Sequence, residues 1–180
     1  MKKILFALTV LAFAPVFAQN VEFKAANFKE KKDELKKAQD AIDKGDEAWK
    51  TGNEAVFNVS DYGLNYKKAL KSYAEAQKFN PNNGELNFKI GVCYIHSTDP
   101  SKGIAYIKRA KELDPTCNPF LNYYYGVALQ LDGQFSQAVA SFKTFENEYR
   151  KADNFSKFIT KRIKECELAE KAMKTPERVW

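Results

Sequence analysis

The sequence of 180 residues holds a single histidine, His96, and only three cysteines, which lack any Cys-x-x-Cys spacing. One histidine excludes a metal site built from paired histidines, and the cysteine spacing does not fit structural zinc or thioredoxin-type chemistry. Glycine is also scarce, and neither G-x-G-x-x-G nor a P-loop occurs. No spacing indicates a nucleophile with its base and orienting acid. The sequence therefore predicts no catalytic residue, no metal site and no cofactor, and we expect that the protein is not an enzyme.

The amino terminus has the three regions of a secretory signal peptide. Met1, Lys2 and Lys3 form a positive start, an apolar run covers residues 4–13, and residues 15–18 end in small side chains before a plausible cut. The run is shorter than the roughly 18–20 residues that a membrane span needs. We therefore expect residues 1–18 to be removed on export to a Gram-negative periplasm, leaving no transmembrane span.

The positive charge is not expected to mark a nucleic-acid partner. Lysine and arginine number 29 against 23 acidic residues, a net charge of +6 that falls to +4 when the signal peptide and its two lysines are removed. The remaining lysines cluster in 24–37 and 151–174, where acidic residues are interspersed, a pattern typical of a solvated helix face. Export also separates the protein from nucleic acid.

The mature chain has helical patterning almost throughout. One apolar stripe has spacings of 7, 3, 4 and 7 residues and consists of Phe28, Leu35, Ala38, Ile42 and Trp49. Asn27 with Glu30 fits a capping box that would start this helix, and Gly52 would end it. Asp99 and Asn118 each precede a proline and predict further helix starts. We therefore expect an all-α protein.

Similar residues then recur at a fixed period, which indicates a repeat array. The first series is Ile90, Gly91, Tyr94, Gly103, Ile107, Ala110 and Pro115, and the second, shifted by 35, is Tyr125, Gly126, Leu129, Ala138, Phe142 and Phe145. An earlier series is Gly45, Ala48, Trp49, Gly52, Tyr66, Ala69, Tyr73, Ala76 and Pro81. The halves of this earlier series lie about 12 residues too far apart, so residues 53–65 are predicted to be an insertion in a helix–helix turn.

These segments resemble tetratricopeptide repeats, which are helical hairpins with an apolar–Gly step, an aromatic residue, Ala-x3-aromatic-x2-Ala and a closing proline. Residues 80–83 and 113–115 are similar to the repeat boundaries of that family, whereas Phe145 and Arg150 replace its usual Ala and Pro. The resemblance implies a right-handed superhelix of about three hairpins plus a capping helix. The expected segments are a signal peptide 1–18, a leading segment with the start of the first helix 19–37, units 38–83, 84–118 and 119–152, a capping helix 153–174, and a tail or start of a further domain 175–180.

Side-chain size along the repeats predicts how the hairpins pack. Small residues are expected where the two helices of a hairpin approach closely, namely Gly45, Gly91, Gly126, Ala69, Gly103 and Ala138. Large residues are expected between adjacent hairpins, namely Tyr73, Ile107, Phe142 and Tyr94. A large side chain at Gly91 or Gly126 should therefore destabilise the fold by a few kcal/mol through overpacking.

The resemblance implies that a protein or peptide partner binds in a concave groove lined by the first helix of each hairpin. Helix phase gives the groove candidates as Gln39, Ile42, Asp46, Trp49, Glu85, Phe88, Val92, Ile95, His96, Phe120, Tyr123, Val127 and Gln130. Four aromatic residues would be exposed binding anchors, namely Trp49, Phe88, Phe120 and Tyr123, although Trp49 and Phe120 fit a core position between repeats equally well. Ile42 and Asp46 stand where chaperone-binding members carry a Lys/Asn clamp, so that specific function is not indicated.

A narrower resemblance concerns cell-envelope proteins. The export signal, the three repeats with a long first turn, and residues 176–180 (PERVW) are similar to the start of Gram-negative envelope proteins. In those proteins the repeats precede a β-propeller-like domain and a peptidoglycan-binding domain of outer-membrane-protein-A type, and some members belong to type IX secretion machinery. This resemblance implies a fragment of a longer periplasmic protein that associates with the outer membrane or peptidoglycan through domains not present here. The alternative is a periplasmic helical-repeat protein that binds a glycan or small molecule.

The three cysteines are expected to be unpaired thiols. An exported protein is permitted disulfides. The repeat register nevertheless places Cys117 at a repeat boundary, and Cys93 and Cys166 well along two different helices. These positions are expected to exceed the roughly 7 Å that a disulfide can bridge between Cα atoms.

Overall fold

The computed structural model of the chain describes residues 19–57, 62–97, 99–149 and 153–175. The predicted signal peptide and residues 176–180 of the predicted tail lie outside these described residues.

The described chain is built of α-helices, with one short 3-10 turn at Ala25–Asn27 and no strand. The helices are α1 (Lys32–Phe57), α2 (Tyr62–Phe79), α3 (Gly84–Ile95), α4 (Pro100–Leu113), α5 (Leu121–Leu131), α6 (Phe135–Glu148) and α7 (Asp153–Lys174). Three pairs pack as hairpins, α1 with α2, α3 with α4 and α5 with α6. Successive hairpins join where α2 meets α3 and α4 meets α5, and α7 packs on α6. The predicted all-α fold of three hairpins and a final helix is confirmed.

Each hairpin closes by placing a large side chain over a glycine of its partner helix. The pairs are Gly45 with Tyr73, Gly91 with Ile107, and Gly126 with Phe142. A Cβ atom added to Gly91 or Gly126 would lie 2.7 Å from carbons of the facing side chain. Tyr73, Ile107 and Phe142 are predicted between hairpins, but each contacts a glycine of its own hairpin, because the missing Cβ leaves room for the side chain between the two helices. Tyr94, the fourth predicted residue, stacks on Tyr106 of its own hairpin.

The first hairpin differs from its predicted outline. Gly52 does not end α1, which continues to Phe57, and α2 already begins at Tyr62. Most of the extra residues therefore lengthen the two helices, and the predicted insertion in the turn is wrong for the part that the structure describes. Inside the helix, a Cβ at position 52 would lie only 2.9 Å from the ring of Tyr66. The close approach of α2 thus requires glycine at a position that resembles a helix stop.

Of the predicted helix starts at Asn27, Asp99 and Asn118, only the one at Asp99 is confirmed. Asp99 caps α4 as predicted, with its side chain accepting from the Lys102 N–H. Asn118 does not cap α5, because its side chain accepts from Phe120 N within the preceding turn and α5 begins only at Leu121. The capping box at Asn27 is also wrong. Its amide donates to the Glu22 carbonyl, and α1 begins at Lys32 after a further turn.

The buried side chains form two clusters. The first joins the first two hairpins and reaches Leu121 and Ala128 of α5, and the second joins α5, α6 and α7. Cys93 is buried in the first cluster, Cys166 is buried in the second, and Cys117 is half-buried in the loop between α4 and α5. Among the described helices, none is both long enough and apolar enough to cross a membrane.

Candidate functional site

A cleft of about 550 Å³ lies between α1, α3 and the segment that precedes α1. Helix α1 contributes Gln39, Ile42, Asp43 and Asp46, and α3 contributes Glu85, Leu86 and Lys89. The α1 residues follow the i, i+3, i+4, i+7 spacing that places side chains on one helix face. The neighbouring stripe of α1, which includes Leu35, Ala38 and Ala41, is buried in the fold. The cleft is therefore the polar face of α1 set against the polar face of α3.

A charge network centred on the largely buried Lys89 lines this cleft. The ammonium of Lys89, whose side chain is only 12% exposed, lies 2.8 Å from Asp46 Oδ2 and 3.2 Å from Glu85 Oε1. Tyr73 of α2 donates its hydroxyl to Asp46 Oδ1 at 2.6 Å. Asp46 thus ties the wall of the cleft to both α2 and α3.

The same contacts keep Tyr73 neutral and Lys89 charged. Burial and the hydrogen bond to Asp46 raise the pKa of Tyr73 well above its ordinary value, so the phenol stays neutral and donates. Burial acts to lower the pKa of Lys89, but the hydrogen bonds and charges of Asp46 and Glu85 outweigh it and the pKa rises. Lys89 therefore remains a cation and does not act as a nucleophile or base.

The cleft carries more negative than positive charge, although the chain as a whole is basic. Its five carboxylates are those of Glu22, Asp43, Asp46, Glu85 and Asp114, and its two amines are those of Lys24 and Lys89. Lys24 pairs with Glu22, and Lys89 pairs with Asp46 and Glu85. A cleft lined by an excess of one sign attracts groups of the opposite sign.

The segment of residues 20–24, which we call the leading strap, forms one wall of the cleft and is held by its main chain. The N–H of Val21 donates to the Asn82 carbonyl at 2.7 Å. The carbonyl of Val21 accepts from two side-chain amides, Asn80 Nδ2 at 2.7 Å and Asn83 Nδ2 at 3.1 Å. Both polar main-chain groups of Val21 are thus bound by the loop between α2 and α3.

The two ends of the strap are anchored by other elements. Asn20 Oδ1 accepts from the Gly84 N–H at 2.9 Å, and Asn20 Nδ2 donates to Asp114 Oδ2 at 3.2 Å. The carbonyl of Phe23 accepts from Gln39 Nε2 at 2.9 Å. The strap therefore runs from α1, past the α2–α3 loop, to the α4–α5 loop.

The aromatic residue of the strap packs in a small ring cluster. The Phe23 ring stacks on Phe79 at the end of α2, with centroids 6.3 Å apart, and lies 6.4 Å from the Phe28 ring. Phe28 in turn lies 4.6 Å from Phe79. The strap thus has one apolar anchor in addition to its hydrogen bonds.

Four of the predicted groove residues meet in the cleft, namely Gln39, Ile42, Asp46 and Glu85. Trp49 lies on α1 one turn beyond Asp46 and is half-buried. Its ring centroid is 6.0 Å from the Lys89 ammonium, and its indole N–H has no hydrogen-bond partner among the described residues. Trp49 therefore packs beside the cleft and does not line it.

Three predicted groove residues belong to the core instead. Phe88 is 1% exposed, and Val92 and Val127 are also buried. The Phe88 ring meets Tyr124 of α5 edge to face, with centroids 5.6 Å apart. The expectation of an exposed Phe88 is wrong because the third hairpin packs over this part of α3.

The remaining predicted residues lie towards the third hairpin and α7. His96 follows α3, and its Nε2 is 2.9 Å from the Tyr124 hydroxyl. Burial, together with the nearby positive charge of Arg162, lowers the pKa of His96. Gln130 accepts from the same Arg162 at 3.1 Å. This cluster joins α3, α5 and α7 away from the cleft.

The two remaining aromatic residues pack against α6. Phe120 is 40% exposed and stacks on Tyr149 with centroids 6.0 Å apart. Tyr123 is half-buried, and its ring lies 5.9 Å from Phe142 and 6.1 Å from Phe158. Neither ring lines the cleft.

Sequence reasoning missed several residues of the site. Lys89 was not predicted, although its position four residues after Glu85 on the same helix was a usable signal. In the sequence, the three asparagines at 80, 82 and 83 indicate only a repeat boundary, and residues 20–24 indicate only a leading segment. No local pattern indicates that the strap binds this loop, because the bonded residues lie about sixty positions apart.

The described residues contain no group of three or more histidine, cysteine, aspartate or glutamate side chains placed to hold a metal ion. No family model matches the chain, and no curated protein matches it. Among solved structures, the chain is similar to the TPR2B domain of yeast Sti1, from a structure titled as its complex with pHsp70. The identity is 17% and the TM-score 0.46, over 69% of this chain and 97% of that domain.

Proposed function

We propose that this protein is a non-enzymatic scaffold that binds an extended peptide segment of a protein partner in the cleft between α1 and α3. One observation carries the proposal: the strap that forms one wall of the cleft is itself a piece of chain held through both main-chain groups of Val21, by the loop at the edge of the cleft. Main-chain hydrogen bonds give affinity for an extended peptide, and neighbouring side-chain pockets give specificity. The protein therefore already binds a segment of chain beside the cleft, and the cleft itself offers the carboxylates of Asp43 and Glu85 to a further segment.

The chemistry of the cleft supports binding over catalysis. Lys89 is held as a cation by two carboxylates, and the hydroxyl of Tyr73 is held neutral. Burial raises the pKa of the Cys117 thiol to about 12, so this thiol is not poised as a nucleophile. These protonation states suit the cleft to hydrogen bonds and ion pairs with a ligand, and not to catalysis.

The negative charge of the cleft indicates that the peptide carries a positively charged side chain. Asp43 has no positively charged partner among the described residues, and Glu85 is 54% exposed beside Lys89. A lysine or arginine side chain of the peptide would pair with these carboxylates. Because exposed charge pairs are screened by salt, the binding should weaken as ionic strength rises.

The glycan-binding alternative has less support. Sugar recognition would use exposed aromatic rings in the groove, but Phe88 is buried and Tyr123 packs against α6. Phe23, the aromatic residue lining the cleft, has its ring packed against Phe28 and Phe79. The peptide-binding function therefore accounts better for the lining of the cleft.

The proposed place of action is the periplasm. The signal-peptide features of residues 1–18 support export, and the resemblance to envelope proteins supports a role in a cell-envelope or secretion assembly at the outer membrane. Mass spectrometry of the mature protein should find Gln19 at its amino terminus, and an intact Met1 would contradict export by cleavage. A reading frame that continues past Trp180 into a propeller and a peptidoglycan-binding domain would support the envelope role.

The test of peptide binding is a charge exchange in the cleft. A partner is first captured from the envelope fraction and divided into overlapping synthetic peptides, whose affinities for the full chain are measured by calorimetry. We expect the double variant Asp43→Asn/Glu85→Gln to lose roughly fivefold to thirtyfold in affinity, since each exposed pair contributes about 0.5–1 kcal/mol.

The matched control is Asp40→Asn, which removes an exposed carboxylate from the same helix but outside the cleft. This control should bind every peptide as the parent does. Equal losses in the control and the double variant, or no loss in either, would show that the cleft is not the binding site.

A further inference from the structure

The surrounding residues bind each position of the leading strap in a different way. The side chain of Asn20 is bound at both ends, by the Gly84 N–H and by Asp114. Val21 is bound through its main-chain N–H and carbonyl, and the Glu22 side chain pairs with Lys24 of the strap itself. The ring of Phe23 packs on Phe79. The contacts therefore specify an asparagine at the first position and an aromatic residue at the fourth, with two less restricted positions between them.

The surface that binds this pattern, which we call the loop edge, consists of residues 79–84 and Asp114. We propose that the loop edge is a recognition site for an Asn-x-x-aromatic segment, that the leading strap is its intramolecular occupant, and that the same segment presented in trans replaces the strap. The inference rests on the proposed function in that it assumes a peptide-binding protein, and it adds both the pattern of the peptide and its regulation by the protein's own chain.

The strap is suited to exchange because none of its residues is fully buried. Val21 and Phe23 are half-buried, and Glu22 and Lys24 are exposed. Segments held by solvent-accessible hydrogen bonds with little buried apolar surface open locally without unfolding the rest of the protein. The loop edge stays formed without the strap, since Asn80 Oδ1 also accepts from Asn82 N and Asn83 Oδ1 also caps α3.

An occupant on the same chain competes strongly with one in solution. A segment on a short linker has an effective concentration in the millimolar range, so the strap lowers the apparent affinity for any free peptide. Unseating the strap by changes within the strap alone should therefore increase the affinity of the loop edge for a free peptide of the same sequence. The strap is thus an autoinhibitory contact.

The experiment uses the full chain and a fluorescent peptide with the sequence of residues 19–25. The unseated variant carries Asn20→Ala, Val21→Pro and Phe23→Ala, which remove the side-chain anchors and the N–H bonded to Asn82. We expect the unseated variant to bind the peptide at least about tenfold more tightly than the parent, measured by fluorescence anisotropy. A peptide with alanine in place of its asparagine and phenylalanine should bind neither protein. Val21→Pro alone should give a smaller increase in peptide affinity. This single variant replaces the triple variant if circular dichroism shows that the triple variant does not fold.

The loop edge is then changed in the unseated background. Asn80→Asp with Asn83→Asp removes both amide donors to the Val21 carbonyl but keeps the oxygens that accept from Asn82 N and cap α3. We expect at least about a tenfold loss of peptide affinity, because the carbonyl loses both partners and faces carboxylates. Asn118→Asp is the control, since it makes the same change from amide to carboxylate outside the loop edge and keeps the oxygen that accepts from Phe120 N.

Three outcomes would overturn the inference. The first is an unseated variant that does not bind the peptide. The second is equal binding by the parent and the unseated variant, and the third is equal binding by the aspartate double variant and its control. None of these affects the capture of an envelope partner in the acidic cleft, so failure of this inference and failure of the proposed function are distinguishable.

Discussion

The contact between Gly126 and Phe142 gives the most direct test of how the hairpins close. The Phe142 ring is fully buried in α6 and lies against the backbone of α5 at Gly126. A Cβ added by Gly126→Ala would lie 2.7 Å from two ring carbons and 3.0 Å from a third. Ordinary contact begins near 3.4 Å, so the ring or the helix must move by about 0.7 Å. Tyr123 restricts that movement, because its ring centroid lies 5.9 Å from that of Phe142.

Two opposing effects determine the magnitude. Overpacking a well-filled core costs about 1–3 kcal/mol, whereas replacing glycine by alanine inside a helix contributes up to about 1 kcal/mol of stability. We therefore expect Gly126→Ala to lower the free energy of unfolding by roughly 1–2 kcal/mol, and Gly126→Leu to lower it by more. For a chain of this length, each kcal/mol corresponds to about 2–4 °C in Tm.

The assay is a double-mutant cycle with Phe142→Leu, measured by urea unfolding and thermal melting. Phe142→Leu alone should destabilise by roughly 1–3 kcal/mol because it leaves space unfilled. In the double variant the new Cβ occupies part of that space, so the two changes should couple favourably by about 1 kcal/mol or more. Additive losses, or an unchanged midpoint for Gly126→Leu, would refute the assignment of this glycine to the closure of the hairpin.

Two further predictions follow from the titratable groups. Burial and Arg162 lower the pKa of His96, so the unfolded chain binds a proton more readily than the folded chain as the pH falls below about 6.5. The free energy of unfolding should therefore decrease between about pH 7.5 and about pH 5.5, and much less so in His96→Gln; equal slopes in urea titrations would contradict this. Burial also raises the pKa of Cys117 to about 12, so timed thiol labelling followed by mass spectrometry should find slow modification at Cys117, slower still with bound peptide. Modification of buried Cys93 or Cys166 before Cys117 would contradict the packing.

The local sequence was sufficient to predict the helical hairpins. The apolar stripe that includes Leu35 and Ala38 predicted one buried face of α1, and both residues are buried. Asp99 before Pro100 predicted the start of α4, because a capping side chain and a proline act within one helical turn. Such features depend on neighbours three or four positions apart, so they can be recognised from the sequence alone.

Helix phase predicted only part of the site, because the helix face on which a residue lies does not determine which other helix packs over that face. Gln39, Asp46 and Glu85 line the cleft, but Phe88 has a similar phase on α3 and is buried. The difference arises from the third hairpin, whose Tyr124 ring meets Phe88. Gly52 shows the same limit, since the proximity of Tyr66 turns an apparent helix stop into an interior position.

What the sequence by itself determined is the set of helices, their pairing into hairpins and the absence of the common motifs for catalysis. What only the tertiary structure decided is where the leading strap lies and which polar groups meet around Lys89. The hydrogen bonds from Asn80 and Asn83 to Val21 join residues about sixty positions apart, and Lys89 meets Asp46 across two helices. Such contacts exist only after the hairpins have stacked, because packing between helices brings distant polar groups within hydrogen-bond distance. Periodicity along one helix carries no information about that packing.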